Sequence, residues 1–198
     1  MEEATERLVR LYLESKGFFV RTSYKVKIEK NRVLEADVMA IRISNKHHDK
    51  LPNAIMAEVK AWPISPNGIS DLFKKSESKL NFKRQKQDAS KLKLVNNQND
   101  RKQFFEKLKK EFGLNFSFFL ITKKMRDKHE KILMDFFKRK HITFKPLEEI
   151  AEGVLKYALR EKYSNDSELQ LIRLLNKERK LLRVRSKNQE SKDLIKLE

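Results

Sequence analysis

Glu58 and Lys60 stand in the middle of an otherwise apolar segment, residues 54–62. An ionised side chain in a protein interior costs several kcal/mol unless it is paired or binds a metal. Residues two apart in a β-strand point to the same face, so a strand here places the carboxylate beside the ammonium. Two interpretations are open. The pair is an ordinary salt bridge, or both groups act on something held in front of the strand.

A second carboxylate belongs to the preceding apolar segments. These predict a hairpin with strands at 18–28 and 33–43, and Asp37 lies in the second strand. Regular alternation would place Met39 on the same face as Asp37. If this strand pairs with the segment that carries Glu58, the two carboxylates converge. Such hard oxygen ligands, with positions left for water, describe a Mg²⁺ site that also uses substrate phosphate, and Mn²⁺ is an expected substitute.

Other groups are candidates for the same site. The carbonyl of Val59 lies between the two charged side chains and is a further potential ligand. Glu6 falls at the edge of the apolar side of a helix predicted over 2–16, and it could add another carboxylate. Lys60 cannot bind a metal while protonated, but it can hold or help to deprotonate a water and neutralise charge that develops on phosphorus.

The combination of Asp37 with Glu58-Val59-Lys60 resembles the PD-(D/E)XK motif of a nuclease superfamily. The opening "TERLVRLYLESKGFFVRT" resembles the first helix and strand of archaeal Holliday-junction resolvases in that superfamily. The resemblance covers about residues 1–122 and implies a restriction-endonuclease-like core, α-β-β-β-α-β. It implies metal binding by Asp37 and Glu58, assisted by Glu6, and a water activated or oriented by Lys60. The implied reaction is endonucleolytic hydrolysis that leaves a 5′-phosphate and a 3′-hydroxyl.

The remaining apolar pattern predicts an α/β protein with a mixed central sheet flanked by helices. The further predicted elements are helices at 68–95, 101–112 and 126–140, strands at 115–122 and 141–145, and C-terminal helices at 146–163 and 167–185. Proline and asparagine mark the ends of several of these, with Pro146 expected as the first residue of its helix. We predict a nuclease-like domain over 1–163, followed by a C-terminal helix and tail over 164–198.

The chain carries a formal charge of +18, from 46 Lys plus Arg against 28 Asp plus Glu. This favours a polyanionic partner; we expect DNA, with RNA left open. Half of the excess lies in residues 74–110, either as a solvated helix face or as a groove for phosphates. The candidate nucleic-acid contacts are Lys74, Lys75, Lys79, Lys83, Arg84, Gln85 and, as a stacking or simply a packing residue, Trp62.

Composition also excludes several functions. Without cysteine there is no disulfide, thiolate zinc site or iron–sulfur cluster. There is no glycine-rich phosphate loop, so we expect no ATP hydrolysis. There is no long apolar segment, so we expect no membrane partner, and the lack of cysteine favours a cytoplasmic location. A homodimer is expected if two strands are cut together. Two alternatives to a nuclease remain: a catalytically silent nucleic-acid-binding module with the same fold, and a scaffold whose basic region docks an acidic protein or RNA.

Overall fold

The computed structural model describes residues 4–29, 32–43, 50–61, 92–123, 127–160, 167, 169, 170 and 172–174. The chain divides into two compact units, Met1–Ala151 and Glu152–Glu198. The first unit contains the whole sheet. In the second unit, the described residues between 167 and 174 are helical. The predicted boundary after residue 163 stays a prediction.

Within the described ranges, five strands form one mixed sheet. They are β1 (Phe18–Glu29), β2 (Arg32–Arg42), β3 (Ala54–Lys60), β4 (Ser117–Thr122) and β5 (Ile142–Pro146). Their spatial order follows the chain, from β1 to β5. The first two neighbouring pairs are antiparallel and the last two are parallel. The predicted α/β class, with a mixed sheet flanked by helices, is confirmed.

Helices precede and connect the strands. They are α1 (Ala4–Glu14), α2 (Lys93–Asn96), α3 (Gln98–Phe112), α4 (Asp127–Arg139) and α5 (Leu147–Arg160). Helix α1 packs against β1, β2 and β3, while α3 packs against β1 and α4 against β5. Of the helix predicted over 68–95, the described part begins only at Leu92, and the rest lies outside the described residues.

Two predicted boundaries are wrong for local reasons. Helix α3 begins at Gln98, not at 101, because the side chain of Asn97 accepts hydrogen bonds from the N–H groups of Asn99 and Asp100. The polar run thus caps the helix instead of interrupting it. Pro146 ends β5 instead of opening α5. A proline is tolerated there because β5 is an edge strand, where one missing donor does not break the sheet.

The main core lies between one face of the sheet and helices α3 and α4. It includes Met56, Phe104, Phe118, Leu120 and Leu133 among its buried side chains. On β3, the residues alternating with Met56 are also buried but do not belong to this cluster. Helices therefore cover both faces of β3, and a charged residue in this strand is enclosed whichever way it points.

The regular alternation of β2 breaks at Asp37. Ala36 and Met39 belong to the same core cluster, although an odd spacing would put them on opposite faces of a regular strand. The alternation therefore changes between Ala36 and Met39, and the placement of Asp37 on the face of Met39 stays a prediction. On β1, Ser23 lies opposite Asp37 by the register of the neighbouring pairs and has φ 52°. This left-handed conformation, uncommon for serine, coincides with the change of face.

Candidate functional site

Asp37 lies where the pairing of β2 with β3 ends. The antiparallel pairs run from Ile41 with Ala54 to Val38 with Ala57, and Asp37 is the next residue of β2. Its Oδ2 accepts a hydrogen bond of 2.7 Å from the N–H of Val59. The carboxylate thus takes over as acceptor for a main-chain donor of β3, which fixes its position at the point where the two strands part.

Lys60 joins the two carboxylates. Its Nζ lies 2.9 Å from Asp37 Oδ2 and 3.8 Å from Glu58 Oε1. Only 14% of the lysine side chain is exposed, so the ammonium is held by these partners in a mostly enclosed setting. The structure brings together the three side chains singled out by their spacing. The salt bridge considered for Glu58 and Lys60 is present, but it includes Asp37 as the closer partner.

Of these three side chains, Glu58 has the least favourable environment for its charged form. Its side chain is 7% exposed, and Oε2 is buried without a hydrogen-bond partner among the residues that the structure describes. The pKa of Glu58 is raised to about 8, chiefly by burial and also by the nearby charge of Asp37. The ammonium of Lys60 and a hydrogen bond from the backbone of Val95 act in the opposite direction without cancelling the effect of burial.

The two other predicted metal ligands are the carbonyl of Val59 and the side chain of Glu6. Val59 contributes its N–H to Asp37, and the use of its carbonyl as a ligand stays a prediction. Glu6 lies in the first turn of α1 with a partly buried side chain. Among the described residues, no group of three His, Asp or Glu side chains is placed to hold one metal ion. Glu6 therefore does not complete a three-carboxylate group with Asp37 and Glu58.

The predicted nucleic-acid contacts cannot be placed in this site. Trp62, Lys74, Lys75, Lys79, Lys83, Arg84 and Gln85 all lie outside the described residues. The described chain resumes at Leu92, just before α2. The backbone of Val95, in α2, forms a hydrogen bond to Glu58. Their assignment to nucleic-acid binding stays a prediction.

Arg101 is a positioning residue that the sequence analysis missed. Its buried guanidinium donates hydrogen bonds to the carbonyls of Leu94 (2.7 Å) and Val95 (3.2 Å) and to that of Lys140 (3.0 Å). It therefore fixes the short helix α2 beside Glu58. The available signal was its spacing, because Arg101 precedes the buried Phe104 by three residues and so falls on the inner side of α3.

Comparison with models of protein families, with curated proteins and with solved structures gives no match for this chain. None of the helices in the described ranges is long and apolar enough to cross a membrane. The geometry and charge of the chain's own residues are therefore the basis on which its function is inferred.

Proposed function

We propose that this chain is a Mg²⁺-dependent nuclease of the PD-(D/E)XK type with a restriction-endonuclease-like core. One observation carries the proposal: Asp37 and Glu58 meet around the ammonium of Lys60, and the buried Oε2 of Glu58 has no hydrogen-bond partner among the described residues. A buried acceptor left unsatisfied costs about 1–3 kcal/mol. A ligand that binds this oxygen offsets that cost.

The described residues fit Mg²⁺ on chemical grounds. Mg²⁺ is commonly bound through one or two carboxylates, with water and substrate phosphate completing its shell, and Asp37 and Glu58 supply that number. Mg²⁺ held by Asp37 and Glu58 would supply Lewis-acid chemistry, polarising a phosphoryl oxygen and making water a better nucleophile. Burial is the main cause of the high pKa of Glu58, so Mg²⁺ binding there would displace a proton from this carboxyl group.

The chain's own side chains have separate tasks in the proposed reaction. Asp37 is oriented by the N–H of Val59, so its carboxylate needs no reorganisation when a ligand arrives. The ammonium of Lys60 orients the attacking water and stabilises the negative charge that develops on the phosphoryl oxygens. The water oxygen forms a bond to phosphorus as the bond to the 3′-oxygen breaks. That oxygen leaves as a 3′-hydroxyl after protonation, and the other product carries a 5′-phosphate.

The order of the elements supports the same proposal. Helix α1, the hairpin β1–β2, strand β3, the helices between β3 and β4, and β4 itself follow the α-β-β-β-α-β pattern of the core. The Glu58-Val59-Lys60 run lies at the end of β3, beside Asp37 of β2. We propose DNA as the substrate, with RNA as the alternative to be tested. Concerted cleavage of two strands would require a homodimer.

A catalytically silent nucleic-acid-binding module is the second candidate. The observation that favours it is the position of Lys60, whose ammonium already offsets the charge of Asp37 and faces Glu58 without any metal. On this proposal the three side chains only stabilise the junction of β2 and β3. The same charge that attracts DNA is present in both cases.

Cleavage assays separate the two candidates. Labelled linear duplex, single strand, flap, four-way junction and RNA are incubated with Mg²⁺ or Mn²⁺ and with the wild-type, Asp37→Asn or Lys60→Met protein. We expect cleavage by the wild type and a loss of about 100- to 10,000-fold with Lys60→Met. The matched control is Lys109→Met, because Lys109 is an exposed lysine of α3. Binding without cleavage of every substrate would establish the silent module instead.

A further inference from the structure

A basic groove runs between the hairpin strand β1 and helix α3. Its cavity has a volume of about 490 Å³ and is lined by Lys25 and Lys27 from β1 and by Lys107 and Lys110 from α3. All four lysines are exposed. They are brought together from segments about 80 residues apart in the chain. The groove is therefore a product of the fold and not of one charged run.

Most of the lysine charge in this groove is not neutralised by the protein. Across the described ranges, Lys27, Lys107 and Lys110 form no ion pair. Lys25 has only a loose partner, with its Nζ 3.6 Å from Glu35 Oε2. The lysines are therefore available to an anion.

The carboxylates at the groove have other contacts. Glu111 lines the cavity, but its Oε1 accepts a hydrogen bond of 2.8 Å from the hydroxyl of Tyr24. Glu106 lines the adjoining cavity, and its Oε1 lies 4.0 Å from the Nζ of Lys102. The Tyr24 ring is buried and contacts Phe112, so it belongs to the floor of the groove. Neither carboxylate pairs with a groove lysine.

The dimensions suit a chain of phosphates better than a single one. A second cavity of about 180 Å³ shares Lys107 and Lys110 and extends to Ile28. From Tyr24 to Ile28, a strand rises about 13 Å. A length of this order accommodates more than one phosphate of a nucleic-acid backbone. Lys25 and Lys27 are separated along the strand by about 7 Å and alternate with the buried Tyr24 and Val26, so they belong to the rim of the groove and not to its floor.

The groove begins close to the candidate site. Tyr24 pairs with Ala36 across the hairpin, and Ala36 precedes Asp37. We propose that this groove binds the phosphodiester backbone of the nucleic-acid strand whose cleavage takes place at Asp37, Glu58 and Lys60. The inference rests on the proposed function for the identity of its ligand, but the groove itself needs neither metal nor cleavage.

Paired charge-neutralising variants test this inference. One protein carries Lys107→Gln with Lys110→Gln, which changes the groove. The other carries Lys109→Gln on α3 with Lys138→Gln on α4, both outside the two groove cavities. Both proteins lose two positive charges from exposed helical positions, so neither change disturbs the core. Fluorescence anisotropy in EDTA gives the Kd for duplex DNA, single-stranded DNA and RNA over a range of salt concentrations.

We expect the groove variant to reduce the slope of log affinity against log salt by about two for duplex DNA, because each lysine–phosphate contact contributes about 0.9. If the affinities converge at 1 M salt, the Kd at 0.1 M rises about 60-fold. The control variant should change neither quantity to that extent. Comparison of DNA with RNA identifies the preferred backbone.

Equal effects of the two variants would overturn the inference, because total charge and not the groove would then determine affinity. Absence of binding to any nucleic acid would also overturn it and would direct attention to an acidic protein partner. Since these measurements are made without metal, the groove can be confirmed even if the cleavage assays fail. Conversely, cleavage abolished by Lys60→Met but unaffected by the groove variant would support the nuclease and reject the groove.

Discussion

Glu58 and Asp100 are two buried carboxylates in the same unit, with 6% and 4% of each residue exposed. Asp100 lies in the first turn of α3, where the helix dipole favours negative charge, and forms an ion pair with Arg32. Glu58 lies in a strand, near the like charge of Asp37, with one buried oxygen that no described group satisfies. The surroundings of Asp100 therefore compensate its negative charge, whereas the surroundings of Glu58 satisfy its carboxyl group only in part.

This contrast separates a structural charge from a candidate functional one. The ion pair of Asp100 connects the start of β2 to the start of α3, two elements that build the core around the site. Among the described residues, Glu58 meets α2 only through a backbone hydrogen bond from Val95, and its enclosure carries an energetic cost. A binding site for a cation would account for the retention of this cost at Glu58, which Asp100 avoids.

The largest expected difference is catalytic. Glu58→Gln should lower the cleavage rate by about 100- to 1000-fold, a loss in the range measured for single groups that stabilise a transition state. Asp100→Asn should leave the rate within about threefold at a temperature where the protein remains folded. Single-turnover cleavage with saturating Mg²⁺ measures both. Equal loss in the two variants would remove the distinction between them.

The second largest expected difference is in how the Glu58 carboxyl group makes stability depend on pH. The folded state keeps a proton on Glu58 up to about pH 8, whereas an ordinary glutamate loses it near pH 4.5. Between these values the folded state binds more protons, so the Glu58 contribution to the free energy of unfolding falls as pH rises, by at most about 1.4 kcal/mol per pH unit. Urea unfolding in EDTA should therefore show Glu58→Gln gaining stability over the wild type from pH 5 to pH 8. A constant difference would contradict this.

A smaller effect is expected at the structural carboxylate. Asp100→Asn removes the charge that pairs with Arg32 and should reduce the free energy of unfolding by about 1–3 kcal/mol, the usual contribution of a hydrogen bond to a charged group. The control is Glu149→Gln, because the ion pair between Glu149 and Lys145 is mostly exposed on the glutamate side and contributes less than about 1 kcal/mol. Urea unfolding at pH 7 compares the two, and a control that is equally destabilised would argue against a special role for Asp100.

The smallest effect should come from the backbone beside the site. Ser23 has a positive φ, which costs an L-residue about 1–2 kcal/mol relative to glycine. Ser23→Gly should therefore raise the free energy of unfolding by about 0.5–1 kcal/mol after its entropic cost is subtracted. Thr22→Gly, at the preceding strand position, should lower it by a similar amount. Thermal or urea unfolding measures both changes in the free energy of unfolding. If both had the same sign, the backbone strain assigned to Ser23 would be refuted.

Residue type and strand periodicity were sufficient to predict the centre of the site. Glu58 and Lys60 must share a face of any strand through them, and Asp37 stands in the strand that a short connection brings alongside. The sheet class was predictable for the same reason, since apolar runs of strand length alternate with helical patterns. The predicted hairpin is also confirmed, with ends that agree within one residue with those of β1 and β2.

Other features depend on contacts that no local pattern contains. The conformation of Ser23 follows from how β1 and β2 change faces together, and nothing in the sequence around it indicates a positive φ. The backbone group of Val95 reaches Glu58 because Arg101 holds α2 in place. The basic groove joins lysines from β1 and α3, so the excess of charge was evident from the sequence but its arrangement was not.

The hydrogen bond from Val59 to Asp37 also gives the site its own spectroscopic reporter. A backbone amide exchanges its hydrogen with solvent when its bond opens, and most amides in a sheet report the separation of strands. The Val59 amide is instead protected by a side chain. Its exchange rate therefore depends on whether the Asp37 carboxylate keeps this hydrogen bond. A ligand that draws the carboxylate away would change the Val59 resonance in a nitrogen–proton spectrum while the other amides of the sheet stay unchanged.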